Sequence, residues 1–330
     1  MPLIDLLGQD LVKVRLSSMV EKSRVPPALL FVGPQGVGKA MAAFLFVQAL
    51  SCPERQKGDA CGHCPSCIQV QRQLYPDLLI VEPEKRQIKI EQIRELQDFI
   101  SFAPIVGERR IVIIKEAHLL NQVAANALLK TLEEPFATVS FILLSHRHSL
   151  LPATVLSRCL MFPFVSLAGP TIVQILARQR AAGELGEVDL EAAAAWSGGS
   201  MERALFFLDE ENLRWCRNFI DNFSGLPGSS LGAALDLAQE ASQSDSSEVL
   251  FFLLRSFLHE AMLYAQEVEA STLCLSGWSD KAAAFAGLGV QPLLAMRQQL
   301  LALERGQAVN INLKLAFEAF FMKIVVTVAV

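Results

Sequence analysis

The sequence predicts an α/β protein, with a parallel sheet covered by helices in the first half of the chain and an all-helical remainder. Three observations lead there. Short apolar runs, ALLFV, DLLIVE, RRIVIIKE and VSFILLS, recur through the first half with helical patterns between them. Strands buried on both faces read as continuous apolar runs, and an intervening helix returns the chain to a parallel neighbour. A glycine-rich stretch, GPQGVGKA at 33–40, joins the first run to a helix. Beyond about residue 165 the chain places Ala, Leu and Phe at helical spacing and offers no strand signal.

In chain order, a helical pattern over Leu6–Glu21 leads through Pro26 and Pro27 to the strand ALLFV, and the glycine stretch opens a helix from Lys39 to about Leu50. A cysteine-rich insertion follows. Then come a strand at 77–82, a helix near Ile90–Phe102, a strand at 109–116, a helix near Asn121–Glu133 and a strand at 139–145. The last apolar segment of this half is CLMFPF, 159–164. This order predicts a sheet domain over 1–165, a small helical unit over 166–212 and a larger helical domain over 213–330, with turns at SGLPGSSLG and GLGVQP. A length of 330 residues suits two or three domains of roughly 100–200 residues each.

Composition narrows the function classes. Hydrophobic residues make up 52% and charged residues 19%, an apolar excess that points to buried subunit contacts. A net charge of −5 and a pI near 5.7 argue against a chain that wraps DNA by itself, because phosphate neutralisation needs a clustered Lys/Arg surface. The opening MPLIDLLGQD has no basic segment before an apolar block, so a cytoplasmic protein is expected. The apolar tail carries Lys314, Glu318 and Lys323, which suit a packed helix better than a membrane span.

Four of the seven cysteines form the pattern Cys52-x8-Cys61-x2-Cys64-x2-Cys67. Thiolates two residues apart reach one ion across a tight turn, Gly62 and Pro65 supply the turn chemistry, and four sulfurs leave no coordination position open. Structural zinc is the expectation. Disulfides are disfavoured in a reducing compartment, and a redox motif does not need four clustered cysteines. His63, between two better ligands, reads as a solvated side chain; Cys159, Cys216 and Cys274 read as packed thiols.

GPQGVGKA fits the phosphate-loop pattern G-x-x-x-x-G-K-[ST] until its last position, where Ala40 replaces the hydroxyl. The backbone N–H groups around Gly33, Gly36 and Gly38, the helix N-terminus and the Lys39 ammonium do not depend on Ala40. They leave open both a loop that takes the phosphates of ATP or ADP without hydrolysis and an empty one.

GPQGVGKA, the cysteine insertion, AANALLKTLEEP (124–135) and LSRC (156–159) stand in one order and together resemble the bacterial clamp-loader family, the AAA+ subunits of the DNA polymerase III holoenzyme. By motif the resemblance covers residues 1–205; beyond that it rests on length and helical character. It implies a RecA-like AAA+ domain, a small helical lid and an all-α collar. The implied partners are loader ATPase subunits and a delta opener in a hetero-pentameric ring, with the sliding clamp and primer-template DNA reached through the complex. In a working family ATPase the loop ends in a hydroxyl that helps hold Mg²⁺, the third strand ends in Asp-Glu, and a lid arginine senses the γ-phosphate. Here Ala40, Lys115 and Glu202 stand at those positions, and only Glu116 is kept; a one-residue slip would bring in Arg203. A lysine beside the Mg²⁺ position is electrostatically wrong for a metal–nucleotide complex. What the resemblance leaves intact is Arg158, the arginine of the Ser-Arg-Cys motif, as an arginine finger for a neighbour's γ-phosphate.

Two other readings compete. An active P-loop ATPase of DNA replication or repair needs a metal-binding acid, and Glu116 and Glu82 are the candidates. A zinc-finger nucleic-acid module needs a basic, aromatic face, whereas 52–67 offers Arg55, Lys57 and His63 as cations and no aromatic residue. On the helix AANALLKTLEEP, Leu128, Leu129 and Leu132 are expected to face the core. Asn126, Lys130 and Glu134 fall on its polar face, which the resemblance places at a subunit border.

Overall fold

A computed structural model describes residues 2–85, 87–134, 136–183, 189–243, 247–267, 278–307 and 312–327. These fall into two compact units, one made of Met1–Ile175 with Gly199–Glu202 and the other of Leu176–Gly198 with Arg203–Val330. Cys274 and Pro135 lie outside the described residues.

The first unit is built on five parallel strands, β1 (Ala28–Val32), β2 (Leu78–Val81), β3 (Arg110–Ile114), β4 (Val139–Ser145) and β5 (Leu160–Pro163), in the order β2-β3-β4-β1-β5. All four pairings are parallel. The sequence-predicted strands are therefore present, and the α/β class stands. Alternate residues feed two cores. On one face Leu29, Phe31, Ile111, Ile113, Ile142 and Leu144 pack with Leu16 of α1 (Asp10–Glu21) and Phe46 of α2 (Lys39–Ser51). On the other, Leu30, Val32, Val112, Ile114, Phe141 and Leu143 meet Leu96 of α4 (Ile90–Ser101) and Leu128 of α5 (Gln122–Glu133). Burial on both faces is the physical reason the strands lack polar alternation.

Two further short helices complete this part of the unit, α3 (Pro65–Gln71) after the cysteine insertion and α6 (Ala153–Leu156) before β5. One boundary differs from expectation. The helix predicted from Leu6 starts only at Asp10, after a 3₁₀ turn at Leu3–Asp5. Gly8 has a left-handed φ of +78°, and buried Gln9 donates to the carbonyls of Val37 and Val165 instead of extending the helix.

A buried ion pair sets the approach to β3. Asp77 is fully buried; its Oδ1 accepts from Ile105 N at 2.7 Å, and its Oδ2 accepts from Val106 N and Gly107 N at 2.8 Å. Arg110 Nε stands 4.0 Å from the same carboxylate, and the guanidinium also donates to the carbonyls of Phe99 and Ala103.

After α7 (Gly169–Ala181), α8 (Leu190–Trp196) and α9 (Met201–Phe207), the remaining helices are α10 (Glu210–Ser224), α11 (Leu231–Gln243), α12 (Ser247–Ala265), α13 (Ser279–Ala286), α14 (Val290–Gln307) and α15 (Leu313–Thr327). The second unit contains no strand among its described residues. Its core is aromatic: the Phe223 ring meets those of Phe257, Phe285, Phe320 and Phe321 with centroids 5.5–6.5 Å apart. The expected turns fall between α10 and α11 and between α13 and α14. Among the described residues no helix is long and apolar enough to cross a membrane.

Candidate functional site

Three neighbouring strands, β3, β4 and β1, end side by side, and each leads directly into chemistry: Glu116 after β3, His146 after β4 and the glycine loop after β1. In open parallel sheets the crevice at the carboxyl ends of the strands is the usual binding position.

The glycine loop turns through three glycines of positive φ into the N-terminus of α2. Gly33, Gly36 and Gly38 have φ of +147°, +70° and +97°, and Gly38 caps the N-terminus of α2. A side chain at Gly36 would put a Cβ 2.2 Å from Ser200 Oγ, so glycine is required there by space as well as by φ. The Lys39 ammonium is turned inward, donating to Gly33 O at 2.8 Å and to Pro34 O. Burial lowers its pKa, against the opposing charges of Glu116 and Glu202. The Ala40 methyl is partly buried against the α2 side of the core and supplies no oxygen to a metal.

Residues 199–202 clasp this loop, a contact across the sequence that no local pattern announces. Met201 N donates to Gly36 O at 2.8 Å, and Gln35 Nε2 donates to Glu202 Oε1 at 3.3 Å. The clasp is held in turn by Leu167 N, which donates to Gly199 O at 2.9 Å. Glu202 thus sets a carboxylate beside the cradle, where it attracts Lys39 and repels an incoming anion. Arg203, the alternative sensor, belongs to the second unit. There it donates to Ser197 O at 2.7 Å and lies over the Phe252 ring, 4.0 Å from its centroid.

The two candidate metal-binding acids of an active ATPase are both engaged. Glu82 Oε1 is 2.6 Å from Lys115 Nζ. Glu116, with a left-handed backbone (φ 47°, ψ 49°), holds Oε2 2.7 Å from His146 Nδ1 and 3.5 Å from His118 Nδ1. Burial alone would raise the Glu116 pKa, but the His146 hydrogen bond and the nearby cationic groups outweigh it and the net shift is downward. His118 is pushed down to about 4, first by burial and then by the His146 charge, so its ring is neutral at neutral pH. The two imidazoles meet edge to face with centroids 4.4 Å apart.

The four predicted cysteines come together. Their Sγ atoms lie within 4.8 Å of one another, with Cys52–Cys64 and Cys61–Cys67 each at 3.9 Å. Tetrahedral metal–sulfur bonds of about 2.3 Å set sulfurs about 3.8 Å apart, so the cluster fits one such ion. A disulfide's S–S length near 2.05 Å is far shorter. Cys64 caps α3, Pro65 is its first residue and Cys67 lies one turn on. Backbone N–H groups of Cys61 and Cys64 point at the sulfurs of Cys52 and Cys61, each at 3.4 Å. The Cys61 pKa falls to about 7 although burial opposes it, whereas burial pushes the thiols of Cys52 and Cys67 up. His63 is exposed and 3.8 Å from Glu54, outside the four-sulfur set. Burial pushes the thiols of Cys159 and Cys216 up to about 11 and about 12, as suits packed cysteines.

Arg158 is not part of the crevice. It precedes β5, whose Leu160 pairs with Leu29 near the start of β1, whereas the glycine loop follows Val32 at the other end of that strand. Parallel strands rise about 3.3 Å per residue, so the two positions are separated by on the order of 15 Å of sheet. Arg158 is exposed, donates to Thr154 O at 2.9 Å, and pairs through Nη2 with Glu133 Oε1 at 2.6 Å. On α5, Leu128 and Leu132 are buried and Leu129 partly so, while Asn126, Lys130 and Glu134 are exposed, as the pattern predicts.

Part of the chain is similar to known proteins. Residues 8–168 match the family described as DNA polymerase III, delta subunit. The tau/gamma subunit of DNA polymerase III from Haemophilus influenzae is 38% identical over 173 residues, 52% of this chain and 25% of that protein. The delta' subunit from Pseudomonas aeruginosa is 35% identical over 175 residues, 52% of this chain and 53% of that one. The match thus spans a quarter to a third of the first tau and gamma relatives and about half of the delta' relative. Among solved structures, the Thermotoga maritima RuvB Holliday junction branch migration motor aligns over 85% of this chain and 88% of its own, with a TM-score of 0.45 and 18% identity. Residues 8–168, the segment that holds the glycine loop, the cysteine cluster and Arg158, are thus similar to clamp-loader subunits of DNA polymerase III.

Proposed function

We propose that this chain is a delta-prime-type subunit of a cytoplasmic clamp loader, a stator that does not hydrolyse ATP itself and supplies Arg158 to the nucleotide of a neighbouring subunit. The observation that carries the proposal is the placement of Arg158. An exposed arginine at the amino end of the edge strand, with the chain's own glycine loop at the opposite end of the sheet, serves another subunit's phosphates or none. The guanidinium is permanently charged and planar, which suits it to stabilising charge on a transferring phosphoryl group in trans.

The crevice supports the same reading. Ala40 lacks a metal-binding oxygen, Lys115 puts a cation just after the strand that should end in an acid, and Glu202 crowds the cradle with negative charge. Nucleotide held by Gly33, Gly36, Gly38 and Lys39 would stay unhydrolysed. Cys52, Cys61, Cys64 and Cys67 would hold one structural zinc that ties the 52–67 insertion to the start of α3. In this reading residues 1–165 form the AAA+ domain, 166–212 the lid and 213–330 the collar. The partners are the loader ATPase and delta subunits of a hetero-pentameric ring, which brings the sliding clamp to primer-template DNA.

Two measurements on the full chain test the assignment. Affinity capture from its native cells should recover loader ATPase and delta subunits, and the purified chain should hydrolyse ATP no faster than its Lys39→Ala variant. A Mg²⁺-dependent turnover that Lys39→Ala abolishes, at the about 1–10³ s⁻¹ common among enzymes, would make it an active ATPase instead.

A further inference from the structure

We propose that Glu116, His118 and His146 form a second metal site, for a transition-metal dication of the zinc type, in the position that Mg²⁺ and nucleotide would occupy in an active ATPase. The site does not depend on the stator assignment or on the cysteine cluster. One ligand atom from each of the three residues lies within 4.8 Å of the other two, and Glu116 Oε2 stands 2.7 Å from His146 Nδ1 and 3.5 Å from His118 Nδ1.

The distances suit the chemistry. Metal–nitrogen and metal–oxygen bonds of about 2.0–2.1 Å at tetrahedral angles set the ligand atoms about 3.3–3.5 Å apart. Glu116 Oε2 and His118 Nδ1 already stand at 3.5 Å. Glu116 Oε2 and His146 Nδ1 are at 2.7 Å, hydrogen-bonded, and need only a side-chain adjustment of less than about 1 Å to admit an ion. Both rings then bind through Nδ1 and carry their proton on Nε2. Two imidazoles and one carboxylate are a donor set that zinc and its neighbours prefer over Mg²⁺, which favours oxygen ligands and water. The fourth position stays open to water or an exogenous anion.

The ligands come from two adjacent strands, so the ion would bridge their ends. Glu116 and His118 follow β3, His146 follows β4, and Ser145 Oγ lies 3.3 Å from His118 Nδ1. The Lys39 charge faces the cluster and opposes a cation there. That ammonium is, however, held by the Gly33 and Pro34 carbonyl oxygens and countered by Glu202. The net effect is to make the carboxylate of Glu116 indispensable to binding.

The test counts ions on the intact chain. The protein is dialysed against buffered Zn²⁺ and, in parallel, Co²⁺, and metal is measured in the parent, in His146→Ala and in His118→Ala, with circular dichroism as a folding check. Each variant should bind one ion fewer than the parent at the same free metal concentration. Its residual affinity at this position should fall more than tenfold, since even outer-shell changes cost about 10–100-fold. Cobalt separates the two sites: thiolate charge-transfer absorption belongs to the cysteines and should be unchanged in both histidine variants. A Cys61→Ser chain should keep the histidine-dependent ion, so failure of the cysteine site would not mimic failure of this one. Equal metal content in the parent and both folded histidine variants would overturn the proposal.

Discussion

Arg158 Nη2 lies 2.6 Å from Glu133 Oε1, which joins the turn before β5 to the last turn of α5. The two motifs that stand out in the sequence, LSRC and AANALLKTLEEP, therefore meet in space, at the end of the sheet away from the glycine loop. The pair keeps the guanidinium at the surface in one orientation while leaving it in solvent.

The first prediction follows from that exposure. Arg158→Ala and Glu133→Ala should each change the unfolding free energy by less than about 1 kcal/mol, the usual worth of an exposed ion pair. Urea unfolding checks it. A larger loss would mean that the pair is part of the fold, and effects of Arg158→Ala on function would then need another explanation.

Gly36→Ala should be damaging although the residue sits in a loop and is only partly buried. Its φ of +70° disfavours a side chain, and the added Cβ would meet Ser200 Oγ at 2.2 Å and Glu202 N at 2.9 Å. A loss of about 1–3 kcal/mol, with faster amide exchange at Met201, is expected. Unchanged exchange at Met201 would contradict the clasp.

Asp77→Ala should cost about 3–5 kcal/mol, because it leaves the buried Arg110 unpaired and strips three backbone N–H groups of their acceptor. Hydrogen exchange at Ile105, Val106 and Gly107 reports the loss directly. Retained protection there would show that another group takes over the role of the carboxylate.

Purified without chelator, the chain should carry a cysteine-bound zinc that Cys64→Ser releases, with loss of order confined to 52–67. Cobalt substitution provides the readout. Thiolate charge-transfer absorption that survives Cys64→Ser would show that the ligands were wrongly chosen.

Much of the fold was legible in the sequence because its strands are covered on both faces: ALLFV and VSFILLS carry no polar alternation, and their helical connections call for parallel strands. The cysteine cluster was legible because its ligands are close in sequence and share a turn. The clasp was not, since Gly36 and Ser200 are distant in sequence and their contact leaves no periodic trace. The Asp77–Arg110 pair was hidden for a related reason, two ordinary charged residues flanking apolar runs. For the Glu116–His118–His146 cluster a signal did exist: KEAH and SHRH each follow an apolar strand immediately, and adjacent parallel strands bring such ends together. Reading them jointly required the strand order, which places β3 beside β4.

The central claim is that this subunit acts on a neighbour's nucleotide through Arg158. The most direct measurement is DNA- and clamp-stimulated ATP turnover by a reconstituted loader containing Arg158→Ala, with assembly of the ring checked separately. The account predicts an intact ring with reduced turnover. The loss should be smaller than the about 10³–10⁵ that a sole arginine finger contributes, because the other sites of the ring keep their own arginines. Undiminished turnover and clamp loading by an intact mutant ring would contradict it and leave this subunit a passive scaffold.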